Sequence, residues 1–257
     1  MLGIGLPVGA AGPYRAIDPD AAAYASAMTV VPSAARVALI DVFVRAIKAG
    51  GLWTRLDVLY LLAAHDAQAG RVNLIAPALH TCTAVNSPSF VTDRGYAGDG
   101  STSYLSTGLN PSLGGTRFSL NDATLFVWSL TDLNASAAEI GTGTATRLLA
   151  RSSGSLAARA NAATTTTVAV ADSLGLVGWS RTSAAGHDFF RGGTVVASPT
   201  QASGSISNDA IRIGAAGSTY SARRLAVAGA GAGLDGGQIA ALAAACEAYL
   251  DALGALP

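Results

Sequence analysis

Lysine and glutamate are nearly missing from this sequence. Lys48 is its one lysine, and Glu139 and Glu247 are its two glutamates. Charged residues of every kind make up 12% of the 257 positions, 16 basic against 16 acidic, where an average globular chain carries about 25%. A neutral chain of this kind lacks the clustered cationic excess that phosphate-directed nucleic-acid binding requires. Disorder of the whole chain is excluded by the opposite balance: half of the residues are hydrophobic, and disordered chains are charge-rich and apolar-poor.

Long apolar runs are missing too. Mean hydropathy is +0.40, yet no stretch of about 18 uninterrupted apolar residues occurs, so no membrane insertion is expected. The first residues lack the basic region of a secretory signal. Two cysteines, Cys82 and Cys246, stand far apart and fit neither a disulfide framework nor a zinc pattern; they are expected to be small half-buried thiols. The histidines His65, His80 and His187 fall in separate segments without metal-ligand spacing. No metal and no cofactor are expected. Gly231-Ala232-Gly233-Leu234-Asp235-Gly236 matches the glycine pattern of dinucleotide-binding turns. Too little chain follows it for a second parallel strand and a ribose-binding acid.

Hydrolytic machinery is also thin. Sandwich glycosidases hold two carboxylates roughly 5–9 Å apart, which on a strand calls for acids at i and i+2 or i+4. Neither glutamate has such a partner. Asp93 and Asp99 flank glycines and are read as turn formers. No G-x-S-x-G nucleophile turn occurs. The chain is not expected to be an enzyme.

What the sequence does have is ordered along its length. Residues 1–17 alternate glycine and proline with Leu2, Ile4, Leu6, Val8 and Tyr14, which blocks any regular element. They read as an extended attachment arm. Residues 18–70 form a helical segment. It starts at Asp18-Pro19-Asp20, restarts at Ser33 with a stripe of Val37, Ile40, Phe43, Val44 and Ile47, and stops at Gly50-Gly51. A third helix is expected over about 52–64, with Leu52, Leu56, Leu59, Tyr60 and Ala63 on one face. From 71 to 234 the helical period disappears. Short Val-, Thr-, Ser- and aromatic-rich segments, including one at 116–120, alternate with Gly, Asn and Asp turns, the mark of an antiparallel sandwich or barrel. Gly192-Gly193 reads as a two-residue hairpin turn. Residues 235–257 close the chain with a helix, Asp235 and Gln238 at capping-box spacing, packed on the sandwich. The fold class is mainly β: an antiparallel two-sheet jelly roll with helices at both ends.

Four residues are candidates for glycan contact. Trp179, with Arg181 beyond it, is read either as core or as an aromatic face on a concave sheet, where it would stack on sugar rings. His187-Asp188 is read as a polar hairpin edge, a sugar contact or half of an acid–base pair. Trp53 and Trp128 are read as core, Trp53 anchoring the helical segment to the sandwich.

The residues Gly50–Tyr60, Arg71–Leu74, and above all Phe90-Val91-Thr92-Asp93-Arg94-Gly95-Tyr96-Ala97-Gly98-Asp99-Gly100-Ser101-Thr102-Ser103-Tyr104-Leu105-Ser106-Thr107-Gly108-Leu109-Asn110-Pro111 resemble a known family. So do Ile211–Ala215 and Arg223–Ala228. The family comprises the concanavalin A-like lectin/glucanase-fold structural proteins of tailed phages, prophages and gene transfer agents. The resemblance spans about residues 17–254. It implies a virion-associated fibre, spike or tail component on the outer surface of a phage-like particle. Because members mostly lack the glucanase acids, it implies binding of a host-surface polysaccharide rather than cleavage. The expected partners are other virion proteins, through the arm, and further copies of the chain, a homotrimer being favoured by analogy with phage fibres. The alternatives are a purely structural virion spacer without ligand and a glycan hydrolase.

Overall fold

The computed structural model describes residues 15–256. Most of the expected arm, residues 1–14, lies outside the described residues. Helices α1 (Pro19–Ser26) and α2 (Ala34–Ala49) come first, and α3 (Gly236–Ala252) comes last. Between them run β1 (Leu56–Leu61), β2 (Thr83–Val85), β3 (Ser89–Val91), β4 (Gly95–Ala97), β5 (Tyr104–Ser106), β6 (Ala123–Ser129), β7 (Ile140–Gly141), β8 (Thr146–Ser152) and β9 (Ser155–Ala160). They continue with β10 (Thr166–Ala169), β11 (Gly175–Arg181), β12 (Asp188–Arg191), β13 (Thr194–Ala197), β14 (Arg212–Ile213), β15 (Ala215–Ala216), β16 (Thr219–Tyr220) and β17 (Arg224–Gly231).

The helix starts follow from their caps. Asp18 accepts from the Asp20 amide ahead of Pro19, Ser33 accepts from the Arg36 amide, and Asp235 forms a reciprocal capping box with Gln238. Each such cap contributes about 1 kcal/mol by satisfying amides that have no partner inside the helix.

The strands form two large antiparallel sheets and a separate two-stranded one, β15-β16. The first has the order β13-β12-β11-β6-β17-β4-β3, with β1 also paired to β17; the second has the order β10-β9-β8-β7-β14-β5-β2. Leu125, Val127, Val177, Trp179 and Phe189 of the first sheet meet Leu105, Leu148, Leu156 and Ile213 of the second in one core. The alternate residues of the first sheet, Leu59, Leu61, Phe126, Trp128, Leu176 and Phe190, face the other way and pack with α1, α2 and α3 in another core. The molecule therefore has three layers: helices, first sheet, second sheet. Strand β6 is buried along its whole length because it sits in the middle layer. That explains its unbroken apolar sequence, since two-sided burial removes the polar alternation.

Bare backbone makes the helical layer fit. Gly178 and Gly229 point toward the helices, where a Cβ would overlap the Phe190 and Phe126 rings respectively. The rings thus lie flat against the sheet. The expected hairpin at Gly192-Gly193 is present between Arg191 and Thr194, both glycines having positive φ, 53° and 87°, as its tight turn requires.

Two expectations fail. No helix occurs over 52–64: Leu56–Leu61 is strand β1, paired antiparallel to β17 from Leu61↔Val227 to Leu56↔Gly231. A strand buried on both faces shows continuous apolar residues, and these fit a helical stripe equally well. The helical segment expected over 18–70 thus gives a strand to the sheet, and α1 and α2 share their core with that sheet. The strand expected at 116–120 is also missing. The Asp57 carboxylate takes the Arg117 and Phe118 amides, each at 2.8 Å, which removes them from any ladder.

Candidate functional site

At one end of the first sheet, the end of β11, the start of β12 and the end of β13 come together, as hairpin topology dictates. They meet the loop entering α3 through Ser180, whose hydroxyl donates to the Leu234 carbonyl at 2.8 Å and accepts from the Leu234 amide at 2.7 Å. Between these segments lies an open cavity of about 290 Å³. The hydroxyl-bearing residues Thr182, Ser183, Ser198 and Thr200 line it, with Ser180 behind them and His187 and Asp188 as well.

Asp188 is half-buried, and its carboxylate makes no hydrogen bond or ion pair among the described residues. It pairs across the strands with Ser180, on the face that carries the helices. His187, its neighbour in an extended chain, faces the other side. Its ring packs edge-on against Trp179 and Phe189 in the inter-sheet core. Its Nε2 lies 3.0 Å from the Thr166 hydroxyl on β10 of the second sheet. His187 and Asp188 therefore do not form an acid–base pair. Burial first, then the nearby Arg181 charge, holds the His187 imidazole down at about 4 against its ordinary 6.5, with Asp188 opposing. The ring is a neutral strut between the sheets.

Trp179 and Arg181 are not surface contacts. Both are fully buried. Trp179 lies in the inter-sheet core beside Phe118 and has no face to offer a sugar ring. Arg181 reaches inward and donates to the carbonyls of Ala160, Ser183, Ala184 and Gln201. It ties two loops and the end of β9 to the same sheet end, so it shapes the cavity from behind. Of the four candidates, the structure leaves Asp188 free to meet a ligand and His187 in the wall.

Sequence reading missed the hydroxyls. Their signal was topological: residues just after β11 and β13 and just before β12 must meet at one end of a three-stranded meander.

The other acids are committed elsewhere. Glu139 is fully buried in an ion pair with Arg223, and Glu247 is on the exposed side of α3. Asp99 accepts from the amides of Ser101, Thr102 and Ser103 in its own turn, which hold its carboxyl well below the usual range. Among the described residues, no second carboxylate lines the cavity around Asp188. Among the described residues, no group of three or more His, Cys, Asp or Glu side chains could hold a metal ion. Cys82 and Cys246 are buried, and burial pushes the Cys82 thiol up to about 12; neither is a nucleophile at neutral pH.

The class of protein defined at this point is an antiparallel β-sandwich backed by helices. No protein-family model and no curated protein match the sequence, but solved structures match the fold. A mutant of Trypanosoma rangeli sialidase displaying trans-sialidase activity superposes with a TM-score of 0.52 at 13% identity, over 83% of this chain and 39% of that one. The receptor binding domain of the botulinum neurotoxin C/D mosaic serotype gives a TM-score of 0.52 at 8% identity, over 73% of this chain and 50% of that one. The binding domain of serotype D gives 0.50 at 8% identity, over 73% and 51%. The chain thus spans about two fifths of the sialidase and half of the toxin domains. At such identities the likeness is one of fold, and function has to be argued from the site.

Proposed function

We propose that this chain is a surface protein of a tailed phage or phage-like particle, whose sandwich binds a host-surface polysaccharide without cleaving it. The observation that carries the binding half is the cavity where the end of β11, the start of β12 and the end of β13 meet. It joins one unengaged carboxylate, Asp188, to the exposed hydroxyl-bearing residues Thr182, Ser183, Ser198 and Thr200. A carboxylate accepts hydrogen bonds from neighbouring sugar hydroxyls, and Ser and Thr hydroxyls both donate and accept. At about 290 Å³ the space is at the small end of ligand sites, suited to one or two sugar units. The lone carboxylate supports binding over hydrolysis, since glycoside cleavage calls for two.

The virion half rests on the resemblance of residues 90–111 and the shorter blocks to phage structural proteins. In that setting residues 1–17 attach the chain to other virion proteins, and the chain assembles as a homo-oligomer, a trimer by preference. Linked weak sites then gain avidity by a factor of about 10²–10⁴. Adsorption of the purified protein to host cells with and without their capsule tests the binding half. Mass measurement of the full chain beside one lacking residues 1–17, each mixed with particles, tests the attachment. Equal adsorption to bare and encapsulated cells overturns the first, and normal incorporation of the truncated chain overturns the second.

A further inference from the structure

The outer face of the second sheet carries an arrangement that the cavity at Asp188 does not explain. Arg147 on β8 stands directly opposite Arg159 on β9. Their sheet neighbours fix the facing: Leu148 and Ala158 point into the inter-sheet core, so the two arginines point away from it. On the same row, Gly141 is opposite Arg147, and Arg212 is opposite Gly141.

Arginines on this face are otherwise matched with acids. Arg212 pairs with Asp209 at 2.6 Å and lies over the Tyr104 ring, and Arg151 pairs with Asp132 at 3.2 Å. Arg147 and Arg159 have no carboxylate among the described residues. Arg159 is nevertheless held in place: its Nε donates to the Thr165 hydroxyl at 3.2 Å and its Nη1 to the Thr144 carbonyl at 2.9 Å. Arg147 donates to no acceptor among the described residues, and its Nε is buried without a partner.

Like charges directly opposite across a sheet oppose folding, and a buried N–H without an acceptor adds to that cost. Burial and the Arg159 charge both lower the Arg147 pKa, which is the mark of a cation left uncompensated. We propose that Arg147 and Arg159 form a binding site for an oxyanion carried by a ligand, a carboxylate or phosphate group, on the sandwich face opposite the helices. Two guanidiniums offer parallel N–H pairs to the oxygens of one such group. Gly141 beside them is buried under Ala216, which packs close over its bare backbone, so the pair stands at the edge of that covered patch. The site is separate from the cavity at Asp188 and stands without it.

Thermal unfolding of the full chain, Arg147→Met and Arg147→Lys tests this. Each is measured in chloride, in inorganic phosphate and with a galacturonate trimer, all at matched ionic strength. In chloride, Arg147→Met unfolds at or above the wild-type temperature, because it keeps an apolar stem and removes the repulsion. The wild-type midpoint rises by roughly 5–10 °C with an effective anion at a hundredfold excess over its Kd. That rise is absent in Arg147→Met, and Arg147→Lys, which loses the fork, binds at least tenfold more weakly. A response to phosphate alone identifies the phosphate group as ligand, and a response to the trimer alone identifies a carboxylated saccharide. No response to either anion overturns the proposal, as does a full response in Arg147→Met or a clear loss of its stability in chloride.

Discussion

Glu139 and Arg223, 84 positions apart, form an ion pair in which neither side chain has any exposed surface. Glu139 precedes β7 of the second sheet and Arg223 precedes β17 of the first, so the pair ties the two sheets together. The carboxylate also accepts from the Ala150 amide and, at 2.9 Å, from the Ser221 hydroxyl. The guanidinium also donates to the carbonyls of Leu133 and Arg151 and to the Ser173 hydroxyl. One of only two glutamates in the chain is thus spent on holding the sandwich closed.

Removing one member of this pair strands the other charge in the core. Glu139→Ala is expected to cost about 3–5 kcal/mol of unfolding free energy, measured by urea denaturation. Changing both residues to apolar ones of similar size, Glu139→Leu with Arg223→Met, is expected to cost less than the single change. A single-variant loss under about 1 kcal/mol would show that the pair does not hold the sheets.

His187 makes stability depend on pH in a defined window. The unfolded chain takes up a proton near 6.5, while the folded ring resists protonation down to about 4. The stabilisation from keeping it neutral is therefore complete above pH 6.5 and is lost as pH falls toward 4. A separation of this size corresponds to roughly 3 kcal/mol at most. Denaturation of wild type and His187→Phe between pH 7 and 4 checks it: wild type should lose stability relative to the variant as pH falls. A constant difference across the range counts against the assignment.

Gly229→Ala places a methyl group where the Phe126 ring lies. Overpacking of this kind costs about 1–3 kcal/mol. Combining it with Phe126→Leu is expected to cost less than the sum of the two single changes, because the smaller side chain vacates the space. Strict additivity in denaturant midpoints would place the strain elsewhere.

Particular residues show how much of this was legible beforehand. The caps at Asp18, Ser33 and Asp235 and the Gly192-Gly193 turn depend on chemistry within a few positions, and they appear where the sequence put them. Strand β6 was readable because Leu125–Ser129 is too short for a helix and apolar on both faces. Strand β1 was not, because Leu56–Leu61 owes its form to lying along Val227–Gly231, a contact that no local pattern encodes. The same limit applied to the site. Asp188 stood out as an acid beside a histidine at a hairpin edge. The burial of Trp179, the inward reach of Arg181 and the hydroxyls around the cavity all follow from strand order and register. Arg147 and Arg159 lie twelve positions apart in separate strands, and their pairing across a hairpin emerges once the register is known.

The most direct measurement is a glycan array of the full chain and Asp188→Ala, with reducing-end analysis of any glycan retained. The Asp188 carboxylate has no partner among the described residues, so Asp188→Ala is expected to change stability by no more than about 0.5 kcal/mol. Wild type should retain a polysaccharide intact, with no reducing ends released, and Asp188→Ala should lose that retention while remaining folded. Release of new reducing ends, or undiminished retention by Asp188→Ala, would contradict a non-cleaving glycan site at this end of the sandwich.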